Sequence, residues 1–267
     1  MNTQPQKQFR ALLLGDSCKD IYHYGSCSRL SPEAAVPVLK ETRRDSRPGM
    51  AANVLSNLQS FGIEVDYHTN TETIEKHRYI DERFHQHLLR VDINETQKTQ
   101  ELEISSIDPL TNYDIVVISD YDKGFLSPEV CRLITQQCAE NNIPVVVDSK
   151  KKDLSCFYSC IMKINQKEYN EIQKQPNDSE FVVTLGSNGA KHKNVIYHIV
   201  SPVEVFDVCG AGDVFLASLV YGFLRKGGIR HSIPLANEMA SISVSHMGTY
   251  TLTKEDVEKY HDLCVRH

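Results

Sequence analysis

A glycine-rich turn and a carboxylate precede an apolar run near residue 210. Segment 207–213 reads Asp-Val-Cys-Gly-Ala-Gly-Asp, and apolar residues then recur with helical spacing from Val214 to Phe223. The pattern predicts a helix that begins near Ala211. Gly210 and Gly212 carry no side chain that would hold an anion away from the backbone. The first amides of such a helix lack intrahelical acceptors, so they form a binding site for a phosphate group.

Asp213, at the end of this turn, is the candidate catalytic base. A carboxylate beside a bound phosphate can take the proton of an attacking hydroxyl, while the amides around Gly210, Ala211 and Gly212 stabilise the charge on the transferred group. Many helices also have a glycine turn and an acidic first-turn residue without any such function. The turn alone leaves both interpretations open.

Four segments, taken together, resemble motifs of the ribokinase-like (PfkB-type) carbohydrate kinases, in which a Gly-Ala-Gly-Asp sequence ends in the catalytic base. Segment 47–53 is similar to the Gly-Gly-Ala-Asn element that contacts the sugar. Segment 165–168 is similar to an Asn-x-x-Glu element associated with magnesium and phosphate, and 183–189 to the strand and turn that border the nucleotide. The resemblance implies an α/β, three-layer fold with a mainly parallel sheet flanked by helices and a small β-sheet lid.

The N-terminal third resembles one branch of that family, the kinases that phosphorylate D-glycero-D-manno-heptose 7-phosphate. Segments 20–38, 78–92 and 119–124 carry this resemblance. It implies transfer of the γ-phosphate of ATP, with Mg²⁺, to a phosphorylated heptose to give the 1,7-bisphosphate. It also implies a single kinase domain over 1–267, with lid segments at about 20–46 and 74–95, and a homodimer formed through the lid.

Two departures from the family pattern keep other functions open. Met50 replaces the second glycine of the usual pair, and the connection at 173–179 is shorter than in relatives. Another sugar or nucleoside kinase of the same fold, or a non-catalytic sugar-phosphate-binding protein, is therefore an alternative. Some relatives carry a nucleotidyltransferase domain after the kinase, and since this sequence ends at His267, only the kinase step is expected.

The resemblance assigns the remaining site residues in three groups. Substrate-binding candidates lie after the first strand, in the 47–53 segment or near the lid: Asp16, Asp20, Arg47, Gly49, Asn53, Arg78, Arg90 and Lys123. Nucleotide-binding candidates lie near the third and fourth motifs and the glycine turn: Asn165, Thr184, Gly186, Ser187, Gly189 and Cys209. Metal-binding candidates are Glu168, through water, and Asn165.

Most of these residues also have a purely structural interpretation. A capping role is the alternative for Asp16, and a solvent-facing position is the alternative for Asn53. Asn165 and Glu168 have the spacing of a capping box, in which each side chain bonds a backbone amide of the other. Segment 184–189 has the composition of an ordinary turn after a strand. Each arginine or lysine of the first group is, taken singly, also typical of a solvated surface charge.

Composition excludes several other classes of protein. The net charge is −6, the isoelectric point is near 6.0, and the basic residues are dispersed, which argues against a nucleic-acid surface. The small sugar phosphate that the resemblance implies as a partner would need only a local cluster of basic residues. No apolar stretch approaches the roughly 20 residues that span a bilayer. The polar opening 1–10 lacks the apolar centre of a signal peptide, so the sequence predicts a cytosolic protein.

The eight cysteines show no Cys-x-x-Cys pair and no histidine in zinc-finger register. They are therefore expected to be reduced and mostly buried small hydrophobic residues. Cys209 is the exception, because it stands directly before Gly210, where family members commonly have threonine. We expect its thiol to line the phosphate loop and to make the protein sensitive to alkylation.

Short apolar runs at 11–14, 115–118, 143–147 and 181–185 have the character of strands buried on both faces. Between the second and third of these, Ser127 and Pro128 predict the start of a helix that ends near Asn141. Alternating strands and helices predict a parallel sheet covered on both sides.

Overall fold

The structure, a computed structural model, describes residues 8–95, 99–201 and 203–258. Its strands are β1 (Arg10–Gly15), β2 (Ser17–Leu30), β3 (Pro37–Met50), β4 (Glu64–His68), β5 (Glu75–Asp81), β6 (Gln86–Ile93), β7 (Ile115–Asp120), β8 (Val145–Ser149), β9 (Ile161–Asn165), β10 (Glu180–Thr184), β11 (Ala190–His192) and β12 (Val195–Tyr197). Its α-helices are α1 (Ala51–Ser60), α2 (Pro128–Glu140), α3 (Gln166–Asn170), α4 (Ala211–Lys226) and α5 (Ile229–Val244). Cys264 lies outside the described residues.

The main sheet has eight strands in the order β12-β11-β10-β9-β8-β7-β1-β4. The six strands from β10 to β4 are parallel, and β11 and β12 pair antiparallel at one edge. Alternate strand residues face opposite cores: Leu13 packs in the core formed with α1, α4 and α5, whereas Leu12 and Leu14 pack in the core that contains α2. The result is the predicted three-layer α/β arrangement.

The local signals placed most of the predicted elements correctly. Runs 11–14 and 115–118 lie within β1 and β7, while the run at 143–147 is displaced by two residues from β8 and the run at 181–185 by one from β10. The Ser127 side chain accepts a hydrogen bond from the Val130 amide, Pro128 is the first residue of α2, and the helix ends at its C-cap Asn141, as predicted. Helix α4 begins at Ala211, also as predicted.

The smaller sheet has four strands in the order β3-β2-β5-β6, and we call it the lid sheet. β2 and β5 pair parallel, and the two outer pairs are antiparallel. The strands extend beyond the segment predicted at 20–46, because β2 begins at Ser17 and β3 continues to Met50, where α1 follows directly. Across the described residues, every helix is too short or too polar to cross a membrane.

Candidate functional site

Side chains from four neighbouring strands meet at one edge of the main sheet. Asp16 follows β1, Tyr121 follows β7, Lys150 follows β8 and Asn165 ends β9. Because β1, β7, β8 and β9 are adjacent and parallel, their carboxyl ends share this edge. In open α/β sheets ligands bind at such an edge.

Asp213, the predicted base, lies in the first turn of α4 and is buried. Its Oδ1 accepts a hydrogen bond from the Tyr121 hydroxyl at 2.8 Å, and its Oδ2 accepts one from Asn53 Nδ2 at 3.1 Å. Asn53 lies in the first turn of α1 and is itself fully buried, which overturns the solvent-facing alternative. Two elements far apart in sequence therefore fix the plane of this carboxylate.

The environment of Asp213 keeps its proton affinity high for a carboxyl group. Burial raises the pKa of Asp213 to about 6, against the opposing hydrogen bonds from Asn53 and Tyr121 and the charge of Lys163. A base with a pKa close to neutral pH is well suited to accept and release a proton at that pH. The candidate base thus has both the position and the proton affinity for acid–base chemistry.

Two glycines of the turn lie close to neighbouring side chains. Gly210 is the N-cap of α4 with φ +76°, and a Cβ there would lie 2.8 Å from Asn53 Nδ2. A Cβ on Gly212 would lie 2.9 Å from Lys163 Nζ. The amides of Ala211 and Asp213 already donate to backbone carbonyls, so the anion site formed by 210–212 stays a prediction rather than an observed set of free donors.

The predicted acceptor pocket contains two buried aspartates. Asp16 Oδ2 accepts hydrogen bonds from the amides of Tyr121 and Lys123, whereas its buried Oδ1 has no partner within the described part of the chain. Those amides belong to the turn after β7, so the Asp16 side chain has a capping role at this turn, which leaves its Oδ1 for another donor. Asp20 leaves no room for a side chain at Gly49, where a Cβ would lie 2.3 Å from Asp20 Oδ2.

The four predicted cationic residues each have a carboxylate partner. Arg78 pairs with buried Asp20 at 3.0 Å, and the other pairs are Arg47–Asp45, Arg90–Asp92 and Lys123–Glu95, each at 2.9 Å. Arg47 also donates to the carbonyls of Met247 and Thr249, which ties the lid sheet to the loop after α5. Arg47 therefore has a structural role here, whereas the other three pairs would have to rearrange to bind a phosphate.

Met50, which replaces the second family glycine, adopts a backbone conformation with φ +56° that favours glycine. Its buried side chain packs with Cys18 and Ile74 at the root of the lid sheet, and Tyr121 packs against this cluster. The methionine therefore fills space behind Tyr121 and does not replace any of the polar groups of the pocket.

Two lysines and two carboxylates form a charged network behind the turn. Asp148 accepts from Lys150 through Oδ1 and from buried Lys163 through Oδ2. Burial opposes ionisation, but the two lysines lower the pKa of Asp148 to about 2. Lys150 Nζ also lies 2.7 Å from Glu168 Oε1, so the network reaches the predicted metal-binding carboxylate.

The predicted capping box is present in full. Asn165 Oδ1 accepts from the Glu168 amide at 2.8 Å, and Glu168 Oε2 accepts from the Asn165 amide at 3.1 Å. Among residues 8–95, 99–201 and 203–258, no group of three or more His, Cys, Asp or Glu side chains could hold a metal. Glu168 and Asn165 are oxygen donors of the kind Mg²⁺ takes through water, so they fit an ion held mainly by nucleotide phosphates.

A cavity of about 300 Å³ borders the glycine turn at Ala211 and Gly212 and is lined mostly by apolar groups. Its lining includes the predicted residues Thr184, Gly186, Ser187 and Gly189, together with Ala211 and Gly212. Aliphatic residues of 199–208 and of α5 complete the wall. An apolar cavity that opens onto a glycine turn has the form expected for a purine base and its phosphate tail.

Cys209 lies near Asp207 and Arg78, and its amide donates to Asp207 Oδ1. Burial raises the pKa of the Cys209 thiol to about 12, which leaves little thiolate at neutral pH and disfavours the expected sensitivity to alkylation. Asp207 also accepts from His87 of the lid sheet at 3.2 Å and from the Gly248 amide. Burial opposes ionisation, yet these hydrogen bonds hold the pKa of Asp207 well below its usual range.

Sequence reasoning gave no individual role to Tyr121, Asp148, Lys150 or Lys163. Tyr121, Asp148 and Lys150 lie at or just beyond the carboxyl end of a parallel strand, so inspecting the residues after every predicted strand would have found these three. Lys163 lies within β9, a strand that was not predicted, and its partner Asp148 is distant in sequence.

Comparison with known proteins places the chain among sugar kinases. Residues 49–256 match the model of the pfkB family of carbohydrate kinases. The chain is 30% identical to a protein named bifunctional protein HldE from Campylobacter curvus, over 95% of this chain and 65% of that protein. It is also 30% identical to the protein of that name from a Nitratiruptor species, over 94% and 64%. The chain thus spans a little under two thirds of the length of these relatives.

The fold is similar to that of solved sugar kinases. A structure of Arabidopsis thaliana ribokinase complexed with ribose and ATP has a TM-score of 0.69 at 14% identity, covering 95% of this chain and 98% of that one. A structure of Escherichia coli phosphofructokinase-2 with substrates and products has a TM-score of 0.69 at 17% identity, covering 96% and 99%. These similarities confirm the predicted ribokinase-like fold.

Proposed function

Because the chain belongs to the pfkB family of carbohydrate kinases, we propose that it transfers the γ-phosphate of ATP to a hydroxyl of a phosphorylated heptose. One observation carries this proposal. The buried Asp213 carboxylate is held by Tyr121 and Asn53 at the start of α4, between an apolar cavity and a pocket with buried aspartates. That is where a base must lie to act between a nucleotide and a sugar.

The proposed reaction is an in-line phosphoryl transfer. Asp213 takes the proton of the acceptor hydroxyl, whose oxygen forms a bond to the γ-phosphorus while the bond to the bridging oxygen breaks and ADP leaves. Lys163, behind Gly212, adds positive potential beside the transferred group. Mg²⁺, held through water by Glu168 and Asn165, would neutralise charge on the nucleotide phosphates. Catalysis is then mostly positioning and electrostatics.

The acceptor is the finer part of the proposal. The resemblance of segments 20–38, 78–92 and 119–124 and the similarity to HldE proteins favour D-glycero-D-manno-heptose 7-phosphate, phosphorylated at the anomeric hydroxyl. The unpartnered Oδ1 of Asp16 suits a sugar hydroxyl donor. The acceptor phosphate would bind to Arg78, Arg90 and Lys123. Each of these cations would first release its present carboxylate partner.

Steady-state ADP release tests this proposal. We expect the highest kcat/KM with heptose 7-phosphate in a panel that also contains ribose, fructose 6-phosphate and a nucleoside. Asp213→Asn should lower turnover by roughly 10²–10⁴ while the protein stays folded. A folded Asp213→Asn variant with unchanged turnover would refute the role of the base. Comparable rates with ribose or fructose 6-phosphate would refute the heptose assignment, and ATP binding without turnover on any acceptor would favour a binding protein.

We further propose a cytosolic homodimer formed through the outer face of the lid sheet. Leu89, Val91 and Ile93 stand opposite Tyr79, His77 and Glu75 in the sheet register, and Leu89 is 58% exposed. An apolar sheet face of this kind suits a second copy of the chain. Light scattering should give twice the chain mass for the natural protein and the single mass for Leu89→Asp, with Val200→Asp, outside the lid, as the control. A single mass for the natural protein would exclude the dimer.

A further inference from the structure

Tyr121 connects the two halves of the candidate site. Its backbone amide donates to Asp16 Oδ2 at 2.8 Å, on the side of the acceptor pocket. Its hydroxyl donates to Asp213 Oδ1 at 2.8 Å. The residue directly follows the buried strand β7, so its backbone position is set by the main sheet. A single residue therefore joins the pocket for the acceptor, through its backbone amide, to the base that would deprotonate it, through its side chain.

We propose that Tyr121 is a positioning residue that orients the Asp213 carboxylate and favours its ionised form, an inference that rests on the proposed kinase function. The hydroxyl occupies Oδ1 while Asn53 occupies Oδ2 from the opposite side. With only one of these donors the carboxylate could rotate about its Cβ–Cγ bond. With both donors in place the carboxylate cannot rotate. The remaining lone pairs of Asp213 therefore point in one fixed direction relative to the start of α4.

The tyrosine acts as a hydrogen-bond donor and not as a second base. Burial raises the pKa of Tyr121 well above its usual value, and the nearby carboxylates of Asp213 and Asp148 act in the same direction. The phenol therefore keeps its proton wherever the enzyme works. A donor that stays protonated stabilises the charged carboxylate and not the neutral acid.

Other charged groups also face Asp213. The test must therefore distinguish the effect of the Tyr121 hydroxyl from the effects of these groups. Lys163 of β9 lowers the pKa of Asp213, while Asp148 of β8 raises it. Cys18 of β2 is also close enough to interact with it. The ammonium groups of Lys76 and Lys150 lie 5.7 and 5.4 Å from the centre of the Tyr121 ring. Replacing tyrosine by phenylalanine leaves the ring and all of these charges and removes only the hydroxyl.

The test is the pH dependence of kcat/KM for Tyr121→Phe. On the acid side of the profile, which we call the acid limb, kcat/KM falls as Asp213 is protonated. Loss of a hydrogen bond to the charged carboxylate should raise the pH of half-maximal kcat/KM on this limb by about one unit. Activity should then fall roughly fivefold at pH 6 and return close to the natural value above pH 8. Tyr113→Phe is the matched control, because buried Tyr113 donates to Asp66 on the β1–β4 side of the sheet. It should leave the limb in place.

Two results would overturn the proposal. One is an acid limb that does not move in Tyr121→Phe, whether or not the rate falls at every pH. The other is a limb that moves equally in Tyr113→Phe.

Failure of the kinase function itself would be recognised separately, as absence of ADP release by the natural protein with every acceptor. In that case ¹³C NMR of labelled aspartate carboxyls, with the Asp213 signal assigned from Asp213→Asn, decides the matter. An Asp213 titration that moves upward in Tyr121→Phe supports the coupling, and an unchanged titration refutes it.

Discussion

The main sheet and the lid sheet are stabilised by different interactions. Every residue of β7 and β8 is buried, with apolar packing on both faces, whereas most residues of β3 and β6 are exposed. The lid sheet is attached to the rest of the chain by two small apolar clusters, at Met50 and at Met247, and by polar contacts. Arg47 donates to the carbonyls of Met247 and Thr249, the Tyr22 hydroxyl accepts from the Thr249 amide, and His87 bonds Asp207.

This difference separates two tasks in the proposed reaction. The base and its donor Asn53 are buried, and the other donor, Tyr121, is half-buried directly after β7 of the main sheet, where dense packing opposes small displacements. The groups that would recognise the acceptor lie partly on the lid sheet, whose polar contacts exchange more easily. Chemistry should therefore depend on the main sheet, and acceptor binding on the lid.

The largest expected effect is on stability, from a core residue of the main sheet. Leu13, in the middle of β1, is fully buried among residues of α1 and α4. Leu13→Ala should lower the free energy of unfolding by about 2–5 kcal/mol, because it leaves a cavity. Denaturant unfolding measures this change.

Leu30→Ala, at the exposed end of β2 in the lid sheet, is the matched control. We expect a change below about 0.5 kcal/mol, as for most surface substitutions. An equal loss in both variants would contradict the difference between the sheets.

The next expected effect is the dependence of stability on pH that the raised pKa of Asp213 causes. The pKa of Asp213 is raised to about 6 in the folded protein from an ordinary value of 3.8, so the folded state binds its proton more tightly than the unfolded state. The stability that this proton provides is complete below about pH 4 and is lost as the pH rises through 6. Asp213→Asn removes this dependence. Its unfolding free energy relative to the natural protein should therefore rise by about 2 kcal/mol between pH 4 and 7.

Urea unfolding of both proteins across that range measures the difference, and a difference independent of pH would contradict the prediction. Asp153→Asn is an informative control. Hydrogen bonds from Lys174 and Ser155 lower the pKa of exposed Asp153 to about 2, so the sign is reversed. That stability is present above the ordinary pKa and is lost as the pH falls towards 2, and exposure to solvent keeps it small.

The parts of the fold that sequence predicted are those specified by local signals. Apolar runs located β1 and β7, and the cap and first-turn proline located α2. The full extent of β2 was not predicted, because polar residues such as Asp20 and His23 are buried by partners on other strands and a register shift after Tyr24 interrupts the alternation. Helix α5 was not identified, and it contains an internal proline.

The candidate site divides in the same way. Asp213 and Asn53 were found from motifs, and the capping box of Asn165 and Glu168 from spacing alone. Tyr121 and Lys163 acquire their roles only through tertiary contacts, with Asp213 and Asp148 respectively. No local pattern distinguishes a tyrosine that holds a base from one that packs after a strand.

The smallest expected effect is that of the contact between His87 and Asp207, which joins the lid sheet to the glycine turn. His87 is partly exposed, so His87→Ala should lower the unfolding free energy by less than about 1 kcal/mol. The same change should raise KM for the acceptor a few-fold with kcat nearly unchanged, because closure of the lid over the acceptor loses a contact while the base is unaffected. His85→Asn is the control, since His85 lies in the same hairpin at φ +50°, which asparagine tolerates, and contacts Phe206 through its ring edge. A fall in kcat with an unchanged KM would mean that the lid acts on the chemical step, and the division of tasks between the two sheets would not hold.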